Sequence, residues 1–403
     1  MNYYVGVDLA DRKHDICILD STGKKLKEFT VPHSPEGLDQ LITGIQEFSA
    51  NIHNVFISAE TYKHLFMESL HAIGYTVYSI NPKSVDRARD RFSPAGAKDD
   101  SRDAQVLADL IRTDQHQYRP LRKDSNELKE LQLLVRDRES LVALKVRIEN
   151  QIMACLKSYY PQALECFCKL DQQSTITFLK AFPTPTEFAS ADLDHLEHIL
   201  KECYNFGWKS KAKELFLLGQ QKQFQVNAVT AQAKSRLLLS LLTQLELLIQ
   251  DIKAYDKAIE CLVKSHPDSE IFLSLKGVGT NLAARLMVEF GDDHSYYPHA
   301  NALQCEAGTA PVTRKSGKRR LVHFRRACKK TFRNTMQQFA LQMVKHEPWS
   351  KEMFKKHRKL GRGTSESMRI VANTWLRILF AMWKNHQHYD RAIYLETKAR
   401  NAA

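Results

Sequence analysis

The sequence predicts an α/β domain followed by a longer and mostly α-helical region. Strand and helix patterns alternate over residues 1–120, whereas apolar residues recur every seven positions in two later segments. Turn residues then separate a third region after His266-Pro267. These observations divide the chain into an α/β domain (1–120), coiled-coil helices (121–266) with an inserted helical segment at about 161–223, a C-terminal domain (267–390) and a frayed tail (391–403).

The first domain begins with short β-rich runs and continues with strand-helix units. Three meandering strands followed by such units predict a mixed sheet flanked by helices. The predicted strands are Tyr3–Leu9, Asp15–Leu19, Lys27–Val31, Asn54–Ala59 and Thr76–Ile80, and the predicted helices are Ser34–Phe48, Tyr62–Ile73 and 101–113.

The central region carries two heptad patterns, which predict two long helices with coiled-coil seams. Such a seam suits a homo-oligomer, a dimer or tetramer. The segment between the two helices contains Pro183, Pro185 and Gly207, and the pattern assigns it no chemistry. The seam positions are Leu134, Leu141, Ile148 and Cys155 in the first helix and Leu238, Leu245, Ile252 and Ile259 in the second.

Composition points towards a polyanionic partner. The 403 residues include 59 Lys and Arg against 46 Asp and Glu, which gives a formal charge of +13. Such a surface attracts nucleic acid or an anionic membrane. The chain shows neither a long apolar run nor a secretory leader, so we expect a soluble, cytoplasmic protein without a membrane partner. Its eight cysteines form no Cys-x-x-Cys pair, as expected of reduced thiols.

Four carboxylates occupy positions from which they could converge. Asp8 and Glu60 each end an apolar strand, and Asp100 and Asp103 lie three apart at the start of a helix. Converging acids repel each other unless cations compensate them, and Mg²⁺ or Mn²⁺ prefers oxygen ligands. The alternative is that Asp100 caps its helix and Asp103 is solvated.

A basic stretch lies in the C-terminal region. Residues 314–333 contain ten Lys or Arg and no acid, which favours phosphate contact over a plain solvated face. Ser316, followed by Gly317, lies within this stretch, where cations could favour its alkoxide. A lone serine in a basic loop is usually a turn residue. The expected nucleic-acid contacts in this stretch are Arg314, Lys315, Lys318, Arg319, Arg320, Arg325 and Arg326.

A glycine turn precedes an apolar helical run. Gly277 and Gly279, next to Lys276, could expose backbone amides that hold a phosphate. A tight helix-helix turn without a ligand is an equal alternative.

Several of these motifs resemble the DEDD transposases of insertion sequences, the bridge-RNA-guided serine family with a RuvC-like domain. The matching elements are Tyr4 to Ala10, Ser58-Ala59-Glu60-Thr61, Asn81-Pro82, Ala97 to Ala104, Leu275 to Gly279 and Ala307 to Lys318. Two departures concern acids or their surroundings: Thr61-Tyr62-Lys63-His64 replaces a Thr-Gly-x-Tyr run, and Asp99 replaces a threonine. Asp99 is therefore a rival to Asp100 as the third metal ligand.

The resemblance implies a RuvC/RNase H-like fold for the first domain and a DNA transposase activity. It implies that Ser316 is the recombinase nucleophile and that Asp8, Glu60, Asp100 and Asp103 bind the metal. It also implies a prokaryotic, nucleoid-associated protein that binds element and target DNA and a noncoding bridge RNA.

Two other functions are compatible with these residues. A RuvC-like nuclease or resolvase would use metal-activated water, and Ser316 would have no catalytic role. A non-catalytic nucleic-acid-binding scaffold would use the basic stretch alone, with the acids in structural roles.

Overall fold

The computed structural model describes residues 1–61, 64–89, 100–204, 206–222, 224–317 and 319–400, without the side chains of residues 100–101 and 397–399. It divides the chain into two compact units, Met1–Lys123 and Asp124–Ala403. The finer division of the second unit stays a prediction.

The first unit is built on a five-stranded sheet of order β3-β2-β1-β4-β5. β1 runs antiparallel to β2 and parallel to β4, and β2 is antiparallel to β3. The mixed α/β fold predicted from the sequence is thus confirmed. The elements are β1 (Tyr3–Leu9), β2 (Lys13–Asp20), β3 (Lys25–Pro32), α1 (Pro35–Gln46), β4 (Val55–Ala59), α2 (Leu65–Ile73), β5 (Thr76–Ser79), α3 (Pro82–Arg89) and α4 (Asp100–Asp114).

Each face of this sheet is covered by its own helices. Val5 and Val7 of β1 belong to the apolar cluster that contains α1 and α2, whereas Tyr4 belongs to the cluster that contains α3 and α4. Alternate residues of a strand point to opposite faces, so Gly6 and Asp8 lie on the α4 face. A Cβ atom on Gly6 would lie 1.8 Å from the carbonyl oxygen of Ala104, so only glycine permits this approach of α4 to the sheet.

The second unit is mostly helical and contains one β-hairpin in its described part. Its elements are α5 (Asn126–Tyr159), α6 (Ala163–Cys166), α7 (Gln173–Ala181), α8 (Pro185–Ala189), α9 (Leu193–Cys203), α10 (Trp208–Gly219), α11 (Ala228–Ser265), α12 (Ser269–Leu273), α13 (Thr280–Phe290), α14 (Ala300–Glu306), β6 (Val312–Ser316), β7 (Arg319–His323), α15 (Lys330–His346), α16 (Pro348–Lys359), α17 (Thr364–Lys384) and α18 (Arg391–Arg400).

The two long helices α5 and α11 pack along each other within the chain. Ile148 and Leu238 share one apolar cluster with the helices α6–α10, while Leu128 and Ile259 share another with α12–α17. Because the heptad positions are used inside one chain, they give no argument for an oligomer. Any contact with a second copy must use other surfaces.

Residues 391–400 form α18, in which Arg391 makes a bidentate ion pair with Glu347. The ring of Tyr394 stacks on Trp349 with 4.1 Å between centroids. These two contacts attach α18 to the start of α16. In the described part of the chain, every helix is too short or too polar to cross a bilayer.

Candidate functional site

Asp8 lies in β1, and Glu60 directly follows the neighbouring parallel strand β4. Gly6 of β1 pairs with Ser58 of β4, the last pair of this register, and each acid comes two residues later in the chain. Both partners face α4, since the Ser58 hydroxyl donates to the Leu107 carbonyl at 2.9 Å. The register therefore places Asp8 on the α4 face, beside the end of β4 that Glu60 follows.

Asp103 lies on α4, in the turn that packs over this sheet edge, and its side chain is 8% exposed. Arg89, the last residue of α3, donates to both of its carboxylate oxygens, each at 2.6 Å. The same guanidinium lies 3.9 Å from Oε1 of Glu60 and also donates to Asp86. Arg89 thus links Asp103 to Glu60 and compensates their charge.

The hydrogen bonds and charges of these carboxylates raise the pKa of Arg89, with the hydrogen bond to Asp103 as the largest cause. The arginine therefore remains charged at any physiological pH. A cation that took the place of this guanidinium would be stabilised by the same oxygens of Asp103 and Glu60.

A further acid, Asp15, lies beside this group. It pairs with Asp8 across the antiparallel β1–β2 ladder, so both side chains point to the same face. The hydroxyl of Thr30 donates to Asp15 at 2.5 Å. The side chain of Asp100 and all of Asp99 lie outside the described residues, although α4 begins at residue 100.

The three described acids have the donor chemistry of a site for a hard divalent cation, but their ligand atoms do not all lie within 4.8 Å of one another in this structure. Asp8, Glu60 and Asp103 offer only oxygen atoms, the donors that Mg²⁺ and Mn²⁺ prefer. They lie near one edge of the sheet. The positive charge of Arg89 compensates the negative charges of Glu60 and Asp103. A divalent cation would serve the same electrostatic purpose.

Ser316 ends the strand β6 at the tip of an exposed hairpin. Gly317 follows with a φ of +54°, in the left-handed region, and β7 begins at Arg319. Ser316 pairs directly with Arg319, and Arg314 stands two residues before it on the same side of the hairpin. The serine hydroxyl is therefore solvent-exposed and flanked by two guanidinium side chains.

The second face of the hairpin is basic as well. Lys315 pairs with Arg320, and both are exposed. Within the described part of the chain, Arg314, Lys315, Arg319 and Arg320 make no salt bridge. These cations are therefore free to contact a phosphate backbone. Lys318, in the turn, lies outside the described residues.

An aromatic ring holds the base of the hairpin. The guanidinium groups of Arg333 and Arg369 lie over the ring of Phe324, 4.5 and 4.4 Å from its centroid. Arg325 donates to the Ala310 carbonyl, while Arg326 is exposed. Arg325 is thus partly committed to the fold, whereas Arg326 remains available to a ligand.

The glycine turn before α13 has a clear structural role. Gly277 adopts a φ of +88°, and a Cβ atom there would lie 2.2 Å from Cδ2 of His346. Gly279 is the N-cap of α13 and has no side-chain cap, and Lys276 is exposed. The φ angle and the packing against His346 thus explain why residue 277 is a glycine, while Gly279 leaves backbone amides exposed to a ligand.

Sequence reasoning missed Arg89, Asp15 and the hairpin itself. Arg89 lies in a polar stretch without apolar periodicity, so nothing in the pattern placed it near the acids. Asp15 was identified only as the start of a strand, although its register opposite Asp8 follows from a tight hairpin. β6 and β7 are exposed and basic and lack the apolar alternation that identifies strands.

Two family models match the chain. Residues 5–161 match the model of the DEDD transposases of IS110, described as "Transposase". Residues 269–355 match a second model, described as "Transposase IS116/IS110/IS902 family". The first range contains all four predicted metal ligands, and the second contains Ser316 and the glycine turn.

Curated relatives extend the similarity over nearly the whole chain. The "Mini-circle putative transposase for IS117" of Streptomyces coelicolor is 30% identical over 396 residues, which cover 97% of this chain and 96% of the relative. The "Insertion element IS110 uncharacterized 43.6 kDa protein" of the same species is 25% identical over 390 residues, which cover 96% of this chain and 95% of that protein. The chain therefore belongs to the IS110 family of insertion-sequence transposases.

Proposed function

We propose that this transposase cuts and rejoins DNA through a covalent link between Ser316 and a DNA phosphate, supported by a divalent cation at the carboxylates. The observation that carries the proposal is the position of Ser316. It is an exposed hydroxyl at the tip of a hairpin, paired with Arg319 and followed by a glycine that leaves room for a backbone.

The chemistry assigned to Ser316 is a transesterification. Its Oγ forms a bond to phosphorus and loses its proton, while the bond from phosphorus to the departing DNA oxygen breaks and that oxygen gains a proton. A hydroxyl of another DNA strand later attacks the serine-linked phosphate and releases Ser316. Each step exchanges one phosphate ester for another, so no oxidant or energy source is needed.

Arg314 and Arg319 are suited to stabilise this reaction. A guanidinium contributes fixed positive charge and two parallel donors to a phosphate. Both flank Ser316 on one side of the hairpin. They would bind the scissile phosphate and stabilise the charge that grows on its oxygens.

Asp8, Glu60, Asp100 and Asp103 would hold Mg²⁺ or Mn²⁺, which supplies charge stabilisation at a scissile phosphate. Asp8 and Glu60 are positioned by the β1–β4 register, and Asp103 is positioned by α4. Arg89 compensates the charge of Asp103 and Glu60 and would have to yield when a cation binds.

Phosphate contacts are assigned to the basic hairpin and the glycine turn. Exposed cations that bind the DNA backbone give affinity without reading its sequence. The proposed contact residues are Lys276, Gly277, Gly279, Arg314, Lys315, Lys318, Arg319, Arg320, Arg325 and Arg326.

Selection of donor and target DNA is assigned to a noncoding bridge RNA. The net charge of +13 is compatible with binding RNA and DNA together. We also propose a homo-oligomer, a dimer or tetramer, because joining two DNA partners requires more than one strand exchange. The protein acts in the prokaryotic cytoplasm, where it associates with the nucleoid.

A hydrolytic nuclease of the RuvC type is the second candidate, because the carboxylates of the first unit could act without Ser316. A non-catalytic scaffold is the third, and it would need only the basic hairpin. The three functions differ in what happens to the DNA: covalent capture, free cleavage, or binding alone.

The experiment compares variants on DNA that carries an element end, with the RNA transcribed beside it, in Mg²⁺. Ser316→Ala should abolish a denaturation-resistant protein-DNA adduct, whereas Thr313→Ala, on the other side of the same strand, should keep it. Asp8→Ala should lose cleavage but keep binding. Free cleavage by Ser316→Ala would favour the nuclease, and binding with no cleavage by any form would favour the scaffold.

A further inference from the structure

Three histidines converge at one end of the sheet in the first unit. His14 lies in β2, His33 follows β3, and His64 precedes α2. One ring nitrogen from each lies within 4.8 Å of the others. Because the three residues are far apart in sequence, the fold itself brings their imidazoles together.

The rings are inclined to one another instead of stacked in parallel. His14 and His33 meet at 76°, His14 and His64 at 87°, and His33 and His64 at 63°. Nε2 of His14 lies 3.0 Å from Nδ1 of His33. Nδ1 of His64 is buried without a hydrogen-bond partner among the described residues. This arrangement leaves a buried polar nitrogen unsatisfied, which normally costs stability.

The surroundings keep two of these rings neutral, which is the form that binds a metal ion. The negative charges of Asp15, Asp11 and Glu68 act on His14 or His64. Burial, with the neighbouring imidazoles, lowers the pKa of His14 to about 4 and lowers that of His64. At neutral pH both rings are therefore uncharged, and each has a nitrogen lone pair. His14 is fully buried, but His33 is exposed, so an ion could enter from solvent.

We propose that His14, His33 and His64 form a binding site for a first-row transition cation, with Zn²⁺ as its natural occupant. Three imidazoles and one water complete the tetrahedral coordination that Zn²⁺ prefers. This site is separate from the carboxylates: His14 pairs with Leu9 and contacts Phe66 on the α2 face, whereas Asp8 points to the α4 face.

Ligation by Nε2 of His14 requires a change of tautomer. In the structure the amide of Ala10 donates to Nδ1 of His14 at 3.3 Å, which places the ring proton on Nε2. With Zn²⁺ bound to Nε2, the proton moves to Nδ1. A coordination bond then replaces the contact between Nε2 of His14 and His33, and the hydrogen bond from the Ala10 amide is lost because the protonated Nδ1 no longer accepts.

The site would stabilise the strand ends that carry the catalytic acids. His14 is opposite Leu9, the neighbour of Asp8, and His64 is four residues beyond Glu60. A cation shared by β2, the end of β3 and the start of α2 would cross-link these segments. The first measurable effect of the bound cation would be a higher stability of the first unit.

A second group, Asp268, His294 and His386, has ligand atoms equally close together. There, however, both histidines already pair with the carboxylate of Asp268, and their rings stack at 19°. In this group the carboxylate of Asp268 already engages one ring nitrogen of each histidine, although Nδ1 of His294 is buried without a partner among the described residues. It serves as an internal comparison for the proposed site.

The test uses the full chain with Co²⁺ as a spectroscopic probe and Zn²⁺ as competitor, in excess Mg²⁺ so that the carboxylates are occupied. Tetrahedral Co²⁺ with nitrogen ligands absorbs visible light far more strongly than Co²⁺ bound octahedrally by oxygen. We expect one equivalent of the strong spectrum, displaced by Zn²⁺. His33→Ala, which changes an exposed side chain, should weaken Co²⁺ binding by about tenfold or more.

His53→Ala is the matched control, since His53 is an exposed histidine of the same unit. It should bind Co²⁺ like the wild type. Zn²⁺ should raise the melting temperature of the first unit in the wild type and in His53→Ala, but not in His33→Ala. The proposal is overturned if His33→Ala keeps the tetrahedral spectrum, if His386→Ala alone removes it, or if Co²⁺ binds only with an octahedral spectrum.

Discussion

The contact between Gly6 and α4 gives a quantitative prediction for Gly6→Ala. A methyl group there would lie 1.8 Å from the carbonyl oxygen of Ala104 and 2.7 Å from the amide nitrogen of Ala108. Both are backbone atoms, so α4 itself must move by roughly 1.5 Å to restore a normal contact. Overpacking of this kind costs about 1–3 kcal/mol, and a clash with helix backbone, which a side-chain rotation cannot relieve, falls at the upper end.

The same displacement would move Asp103 away from Asp8 and Glu60. A misplacement of about 1 Å can reduce catalysis by about 100-fold. We therefore expect Gly6→Ala to lower the free energy of unfolding of the first unit by about 3 kcal/mol and DNA cleavage by about 100-fold. Urea denaturation and a cleavage assay measure the two effects.

Gly44→Ala is the matched control in the same unit. Its Cβ would meet the ring edge of Phe29 at 2.8 Å, which a small ring movement relieves, and alanine favours the helix. This variant should stay within about 1 kcal/mol of the wild type. If Gly6→Ala proved as stable and active as Gly44→Ala, the close packing of α4 against β1 would be refuted.

Three further changes have defined outcomes. Arg89→Gln removes the positive charge that compensates Asp103 and Glu60. The affinity for Mg²⁺, measured by calorimetry, should therefore rise by roughly tenfold, while the metal-free protein loses stability. An unchanged affinity would exclude competition between Arg89 and Mg²⁺ for these carboxylates. Burial opposes ionisation of Asp292, but its hydrogen bonds outweigh burial and lower its pKa from 3.8 to about 2. The ionised carboxylate therefore stabilises the second unit above pH 3.8, and this stability is lost as the pH falls towards 2; Asp292→Asn should cost about 2 kcal/mol at pH 7 in urea denaturation and show no such loss on acidification. Arg319→Ala should reduce the magnitude of the slope of the logarithm of the DNA-binding constant against the logarithm of the salt concentration by about 0.9. Lys264→Ala, which removes an ion pair with Glu260, should leave this slope unchanged.

The sequence predicted the strands of the first unit because their apolar residues are buried in a regular pattern. Val5 and Val7, for example, are fully buried and alternate with residues of the other face. The acids at the ends of β1 and β4 were predicted from the same pattern, since strand ends gather at one sheet edge. Their parallel register, and Arg89 between Glu60 and Asp103, required three-dimensional information.

The heptad pattern predicted the long helices but not their partner. Leu238 and Ile259 satisfy a seam equally well against another chain or against α5, because periodicity records only that a face is buried. The structure uses this face within the chain. Similarly, α18 is held by Tyr394 and Arg391, which are single contacts that no periodicity reveals.

The hairpin could not be predicted because its stability does not come from burial. Most of its side chains are exposed, and Phe324 at its base is held by two arginines distant in sequence. Here the resemblance to a family identified Ser316, while the pattern of the residues did not. The structure adds the pairing with Arg319.

The central claim is that Ser316 becomes covalently linked to DNA, and peptide mapping tests it most directly. Cleavage of the denatured adduct after glutamate releases the segment between Glu306 and Glu347, in which Ser316 is the only serine. After nuclease digestion, mass spectrometry should find a nucleotide remnant on this peptide at Ser316. A remnant on another residue, or cleaved DNA with no modified peptide, would contradict the account.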